Sequence, residues 1–253
     1  MLTSRWIVAA AVALCVASPI DARAQTAAPP ATTPTTTEEP HPFKHIFQNL
    51  GRDLRGVASF ETLVILSAGG AASLIANQSD DRAHQWSLDR PIPSWARIGR
   101  VGGDGWTQGA IAAATWATGS LTEHKLVTHL GSDLVRAQVL NMVTTRVVKI
   151  AVDRTRPSGG GHAFPSGHSS ATFTTAAVLH RHFGWKAGIP AYAAAGFVGL
   201  ARVADRSHWV SDTVFGAAMG VAAAWSVTRG HDTGKWTVTP VATPGGGAII
   251  VRW

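Results

Sequence analysis

Residues 213–228, TVFGAAMGVAAAWSVT, decide the fold. Sixteen residues pass without a charge; they are rich in Ala, Val and Gly and lack the alternation of a half-buried strand. The run reads as part of a helix over 210–228. Working outward, five more stretches of the same character are expected to be helical: 55–77, 105–121, 132–152, 167–183 and 188–204. Breakers separate them: Pro91 and Pro93, Gly131, Pro157 with Gly159, Gly160 and Gly161, then Gly184, Gly188 and Pro190. No strand-like alternation occurs before residue 236, so the core is expected to be an all-α six-helix bundle. The tail, 231–253, differs. Its β-like runs 236–241 and 248–253 flank Pro-Gly-Gly-Gly at 244–247 and predict a hairpin.

Only 15% of the residues are charged, against about 25% in ordinary soluble domains. Either the core is large for the chain or part of the surface meets lipid. The longest charge-free helical runs are 62–79 and 105–122, at eighteen residues each. Those lengths are borderline for spanning a bilayer, and the composition leans on Ala and Gly instead of Leu, Ile and Phe. A soluble or peripheral periplasmic domain is the favoured expectation, with an integral membrane protein as the close alternative.

Export is expected from the N-terminus. Arg5 precedes a twelve-residue apolar run, 6–17, and Ala22-Arg23-Ala24 offers a small-x-small cleavage site. Residues 1–24 then form a signal peptide and 25–42, rich in Thr, Ala and Pro, a disordered linker before a helical domain over 43–230. The single cysteine, Cys15, falls within the leader, so the mature chain would have no thiol chemistry and no disulfide. The net charge of +7 suits an anionic substrate or membrane surface; no nucleic-acid module is recognisable. The sequence carries no signal of oligomeric state.

Three blocks carry the chemistry. Lys149 and Arg156 stand seven residues apart before Pro157, a spacing that would put both cations on one helix face; a basic helix end favoured by the macrodipole explains this block equally well. Pro165-Ser166-Gly167-His168 reads as a turn into a helix whose free N–H groups could hold an oxyanion, or as an ordinary serine cap. His208 and Asp212 stand at i,i+4, a spacing that shares a helix face and lets the carboxylate orient the imidazole; Arg202 supplies a planar fork for phosphate oxygens. A surface ion pair is the alternative there. Taken jointly, two histidines, one carboxylate and three cations match the needs of phosphoryl transfer through a phosphohistidine.

The same blocks resemble the three signature motifs of the type 2 phosphatidic acid phosphatase superfamily, which also contains bacterial non-specific acid phosphatases and vanadium haloperoxidases. Lys149 with Arg156-Pro157 matches the first motif, Pro165 to His168 the second, and Arg202 with His208 and Asp212 the third. Ala201 departs from the pattern, since many members carry serine before the arginine. The resemblance implies the superfamily's helical core, a nucleophilic His208 oriented by Asp212, and His168 as acid and then base. It implies a phosphate cradle of Lys149, Arg156, Ser166, Gly167 and Arg202, with neither a metal ion nor a cofactor. The implied substrates are phosphomonoesters or lipid (di)phosphates. Two rivals remain: a vanadium-dependent haloperoxidase, for which vanadate would be the cofactor instead of an inhibitor, and a non-catalytic phosphate or lipid-headgroup binding protein. Arg154 and Arg206 are read as solvated charges, His162 as a loop residue, and His124, His180 and His182 as surface residues. Trp86, Trp95 and Trp106 are candidates for a lipid interface. Residues 80–105 are assigned no element.

Overall fold

The structure, a computed structural model, describes residues 42–229, 237–243 and 246–252. The expected leader and all but the last residue of the linker lie outside the described residues. Nine helices and one hairpin are described: α1 Pro42–Val57, α2 Phe60–Asn77, α3 Asp80–Leu88, α4 Ala96–Gly102, α5 Gly105–Leu121, α6 Lys125–Val152, α7 Gly167–Phe183, α8 Trp185–Ala204, α9 Val210–Val227, then β1 Thr237–Thr243 and β2 Gly246–Arg252. The helical core stands as expected, and β1 pairs antiparallel with β2 from Thr237↔Arg252 to Thr243↔Gly246.

Several boundaries differ, each for a local reason. The helix expected over 55–77 is broken in two. Ser59 adopts an extended conformation and caps α2, its Oγ accepting the Thr62 N–H at 3.3 Å. Gly131 does not break a helix; α6 runs through it for 28 residues. Its role is close approach, because a Cβ there would lie 2.2 Å from Trp116 N on α5. Likewise α8 begins at Trp185, after the positive-φ Gly184, and carries Pro190 within it. The unassigned stretch 80–105 supplies α3 and α4.

The core is small-residue packing. Leu130, Leu134, Ala137 and Leu140 of α6 meet Ala177 and Val178 of α7 and Ala223, Ala224 and Val227 of α9. Helix α9 lies almost in contact with the α7 backbone: a Cβ on Gly220 would come 2.2 Å from Ser170 O, and one on Gly216 would come 2.6 Å from Ser166 O. Up-and-down connectivity brings the C-termini of α2, α6 and α8 and the N-termini of α5, α7 and α9 to one pole of the bundle.

Three helices, α2, α8 and α9, are long and apolar enough to cross a membrane by length and composition. Helix α2 decides how they weigh. Its eighteen residues have a mean hydropathy of 1.4, yet only 17% of them are buried in the protein. Leu74 and Ile75 are 75% and 69% exposed, with Phe60, Leu63 and Val64 about half exposed. At about 1.5 Å per residue the helix is roughly 27 Å long, close to the ~30 Å of a bilayer core. An apolar helix that faces outward at this length supports membrane association, and shifts the balance from the soluble alternative favoured by the sequence.

Candidate active site

All eight motif residues lie at the pole where those helix ends meet. The first block is not a helix end carrying two cations on one face. Helix α6 stops at Val152, because Asp153 takes a left-handed conformation (φ 40, ψ 47); Pro157 lies beyond the end. Lys149 projects from the last helical turn, and Arg156 from the loop that follows. This loop folds back on itself: Lys149 Nζ donates to His162 O at 2.8 Å, Arg156 Nε donates to Gly161 O at 3.2 Å, and Ala163 N donates to Arg154 O at 2.7 Å. His162 contacts Asp153 Oδ1 through Nδ1 at 3.0 Å, so it latches the loop to the helix end.

The second block forms as expected. Ser166 is the N-cap of α7 and accepts the Ser169 N–H, while Gly167 and His168 open the helix. Ser166 N donates to Asp212 O at 2.9 Å, tying the cap to the third block. Lys149 packs beside Gly167, its Cε at the ordinary contact distance of 3.8 Å from where a Cβ would stand. His168 Nε2 lies 3.1 Å from Arg100 O on α4.

The third block differs in its mechanics. His208 precedes α9 instead of lying on it, and the helix cap sets the pair. Asp212, in the first turn of α9, accepts the Trp209 N–H on Oδ2 at 2.9 Å. His208 N donates to Arg202 O at 3.0 Å, so the C-terminal turn of α8 holds His208 in place. His208 Nδ1 then faces Asp212 Oδ2 at 3.6 Å, an ion-pair distance just beyond hydrogen-bond reach. Arg202, 5% exposed, is held by Asp205 at 2.5 Å. Its Nε is buried with no hydrogen-bond acceptor among the described residues.

The electrostatics place these groups together, all three titrating residues lying outside α2, α8 and α9. Burial pushes the Lys149 ammonium down to about 8, reinforced by the neighbouring Arg156 charge. Burial also pushes His168 down to about 4, with Arg202 and His208 adding to the effect. His208 is lowered chiefly by burial, with Asp212 pulling the other way and Lys149 adding to the depression. The two imidazoles therefore stand neutral beside a cluster of cations, so a lone pair is available on His208 and negative charge is favoured between them.

Two arginines read as solvated charges are not. Arg154 donates to Asp212 Oδ1 at 2.8 Å, Ser211 Oγ at 2.7 Å, Asp80 Oδ2 at 2.9 Å and Asn77 Oδ1 at 3.1 Å. It lies over the Trp209 ring, 5.3 Å from its centroid. Asp80, buried at the start of α3, also accepts Ser211 N and Oγ. Arg206, in a positive-φ conformation, caps the end of α3 through Ser87 O and Arg90 O. Arg154 was within view in the sequence, two residues before Arg156. Nothing in one dimension connects it to Asp80, seventy-four residues away. His182 also faces inward, its Nε2 2.9 Å from Asp133 Oδ2 at the opposite pole.

Comparison with known proteins adds the following. Residues 131–236 match the sequence model of the PAP2 superfamily. Over 77 residues the chain is 34% identical to a lipid A 1-phosphatase of Porphyromonas gingivalis; the match covers 29% of this chain and 17% of that protein. A transmembrane PAP2-type phosphatidylglycerolphosphate phosphatase of Bacillus subtilis aligns with 74% of this chain and 93% of its own, at 18% identity and a TM-score of 0.33.

Proposed function

We propose, from the match of residues 131–236 to the PAP2 superfamily model, that this chain is a phosphatase of lipid phosphates that works through a phosphohistidine at His208 without a metal ion. One observation carries most weight. A buried guanidinium nitrogen, Arg202 Nε, has no acceptor among the described residues, next to a buried neutral imidazole and the capped N-terminus of α7. An uncapped buried donor costs free energy unless a ligand fills the place, and a phosphate oxygen is the acceptor that suits it.

In the proposed reaction Lys149, Arg156 and Arg202 neutralise the non-bridging oxygens, with Ser166 and the N–H groups at Gly167 beside them. His208 Nε2 attacks phosphorus as the bond to the leaving oxygen breaks, and His168, protonated once the phosphate dianion is bound beside it, gives that oxygen a proton. A water then attacks phosphorus and gives its proton to His168; the N–P bond breaks and inorganic phosphate leaves. Asp212 stabilises the imidazolium that exists between the two steps. The apolar outer faces of α2 and α8 suit a lipid substrate arriving from the bilayer. The curated relative is a phosphatase by name, which favours hydrolysis over haloperoxidase chemistry or binding alone. Export, proposed from residues 1–24, predicts a mature chain beginning at Gln25.

The test is a rapid quench with a ³²P-labelled lipid phosphate. The full chain should yield an acid-labile, base-stable phosphoprotein, and His208→Ala should yield neither phosphoprotein nor turnover. Full turnover by His208→Ala would sink the nucleophile assignment.

A further inference from the structure

At the pole opposite the phosphoryl site, His129 and Asp133 occupy successive turns of α6, and His182 reaches across from the last turn of α7. About 30 Å of α6 separates His129 from Lys149, twenty residues further on. Asp133 Oδ2 lies 2.9 Å from His182 Nε2 and 3.6 Å from His129 Nε2, and the three ligand atoms fall within 4.8 Å of one another. The two imidazole rings meet edge to face, with centroids 5.2 Å apart. A tetrahedral zinc ion with ligands at about 2.0–2.1 Å has ligand–ligand edges of roughly 3.3 Å. The two observed edges bracket that value.

Asp133 is held from its other side. Arg136 Nη1 holds the other oxygen of Asp133, Oδ1, at 3.4 Å, which fixes the carboxylate with Oδ2 turned to the imidazoles. Arg136 itself is gripped by Asp53 at 2.8 and 3.1 Å. Asp53 and Asp133 therefore share the Arg136 guanidinium. Arg181, next in sequence to His182, is directed away to Thr228 Oγ1 and O. His129 and Asp133 also line a cavity of about 500 Å³, whose wall includes Arg52, Arg55 and Arg229.

We infer that His129, Asp133 and His182 form a binding site for a divalent transition metal of the zinc type. Two imidazoles and one carboxylate are a borderline donor set that selects zinc or a neighbouring first-row ion over magnesium or calcium. A bound ion would cross-link the N-terminal turns of α6 to the end of α7. It would take no part in phosphoryl transfer at the other pole.

The test uses the untagged full chain in detergent, stripped with EDTA and titrated with ZnCl₂, then with MgCl₂. The wild-type chain should retain about one zinc ion, and Co²⁺ substitution should give the visible absorption of a four-coordinate site. His129→Ala, at a side chain 59% exposed, should weaken zinc binding at least ~10-fold, and His129→Ala/His182→Ala should abolish it, with phosphatase activity and circular dichroism intact in the single variant. Equal zinc retention by the wild type and the double variant would overturn the inference. So would failure of the folded wild-type chain to hold zinc, or magnesium binding as tight as zinc.

Discussion

Arg154→Ala tests how Asp212 is held. In the folded protein Arg154 is the cation shared by Asp212, which is fully buried, and Asp80, which is 4% exposed. Truncation leaves two buried carboxylates facing each other across Ser211. Removing one partner of a buried pair costs about 3–5 kcal/mol. The Arg154 side chain is 28% exposed, so water offsets part of that, and roughly 2–3 kcal/mol is the better figure. If that energy is lost from the placement of Asp212 against His208, kcat falls roughly 30- to 150-fold at about 1.36 kcal/mol per decade. KM should change little, because Arg154 is bonded to carboxylates and to Ser211 and not to the phosphate cradle. Steady-state kinetics on a water-soluble lipid phosphate, with circular dichroism as a check of folding, would measure this. Arg154→Lys should recover part of kcat by restoring the charge without the fork, and Asp80→Asn in the Arg154→Ala background should recover part of the stability. Wild-type kcat in folded Arg154→Ala would refute the positioning role; a change confined to KM would mean that the guanidinium binds substrate.

The site's pH behaviour follows from the same geometry. His168, held down to about 4 in the free protein, must be protonated to release the leaving group, and a bound phosphate dianion draws a proton onto it. The basic limb of kcat should therefore lie above that of kcat/KM, and His168→Ala should remove the difference. Lys149, lowered to about 8, loses its charge as pH rises through that value, so KM should climb above pH 8 as the cradle loses a cation. Gly220→Ala would set a Cβ against the Ser170 carbonyl and the Thr174 amide; a cost of about 1–3 kcal/mol is expected, with a fall in Tm of roughly 2–4 °C per kcal/mol by calorimetry. Activity should survive EDTA treatment without added Mg²⁺, and its complete loss would contradict a metal-free transfer.

The helices and the candidate site residues are legible in one dimension because both depend on local pattern. Charge-free runs of Ala, Val and Gly can only be buried or meet lipid, and the turn before Gly167 caps a helix wherever it folds. The errors arose where a residue's meaning depends on what faces it. Gly131 was read as a breaker, yet it is the place where α6 touches α5. His208 and Asp212 were read as sharing a helix face, yet a helix cap brings them together. Arg154 and Arg206 look solvated in the sequence, yet Arg154 pairs with Asp80 and Asp212, 74 and 58 residues away, and Arg206 with Ser87 O, 119 residues away.

By itself the sequence determined an all-helical chain and a phosphoryl-transfer inventory at Lys149, Arg156, Ser166, Gly167, His168, Arg202, His208 and Asp212, because period, caps and motif spacing are local properties. Tertiary structure alone decided that Asp80 and Arg154 clamp Asp212, that α2 turns its apolar face outward, and that His129, Asp133 and His182 converge at the far pole. Those are contacts between distant segments, and their energies depend on which groups exclude water together.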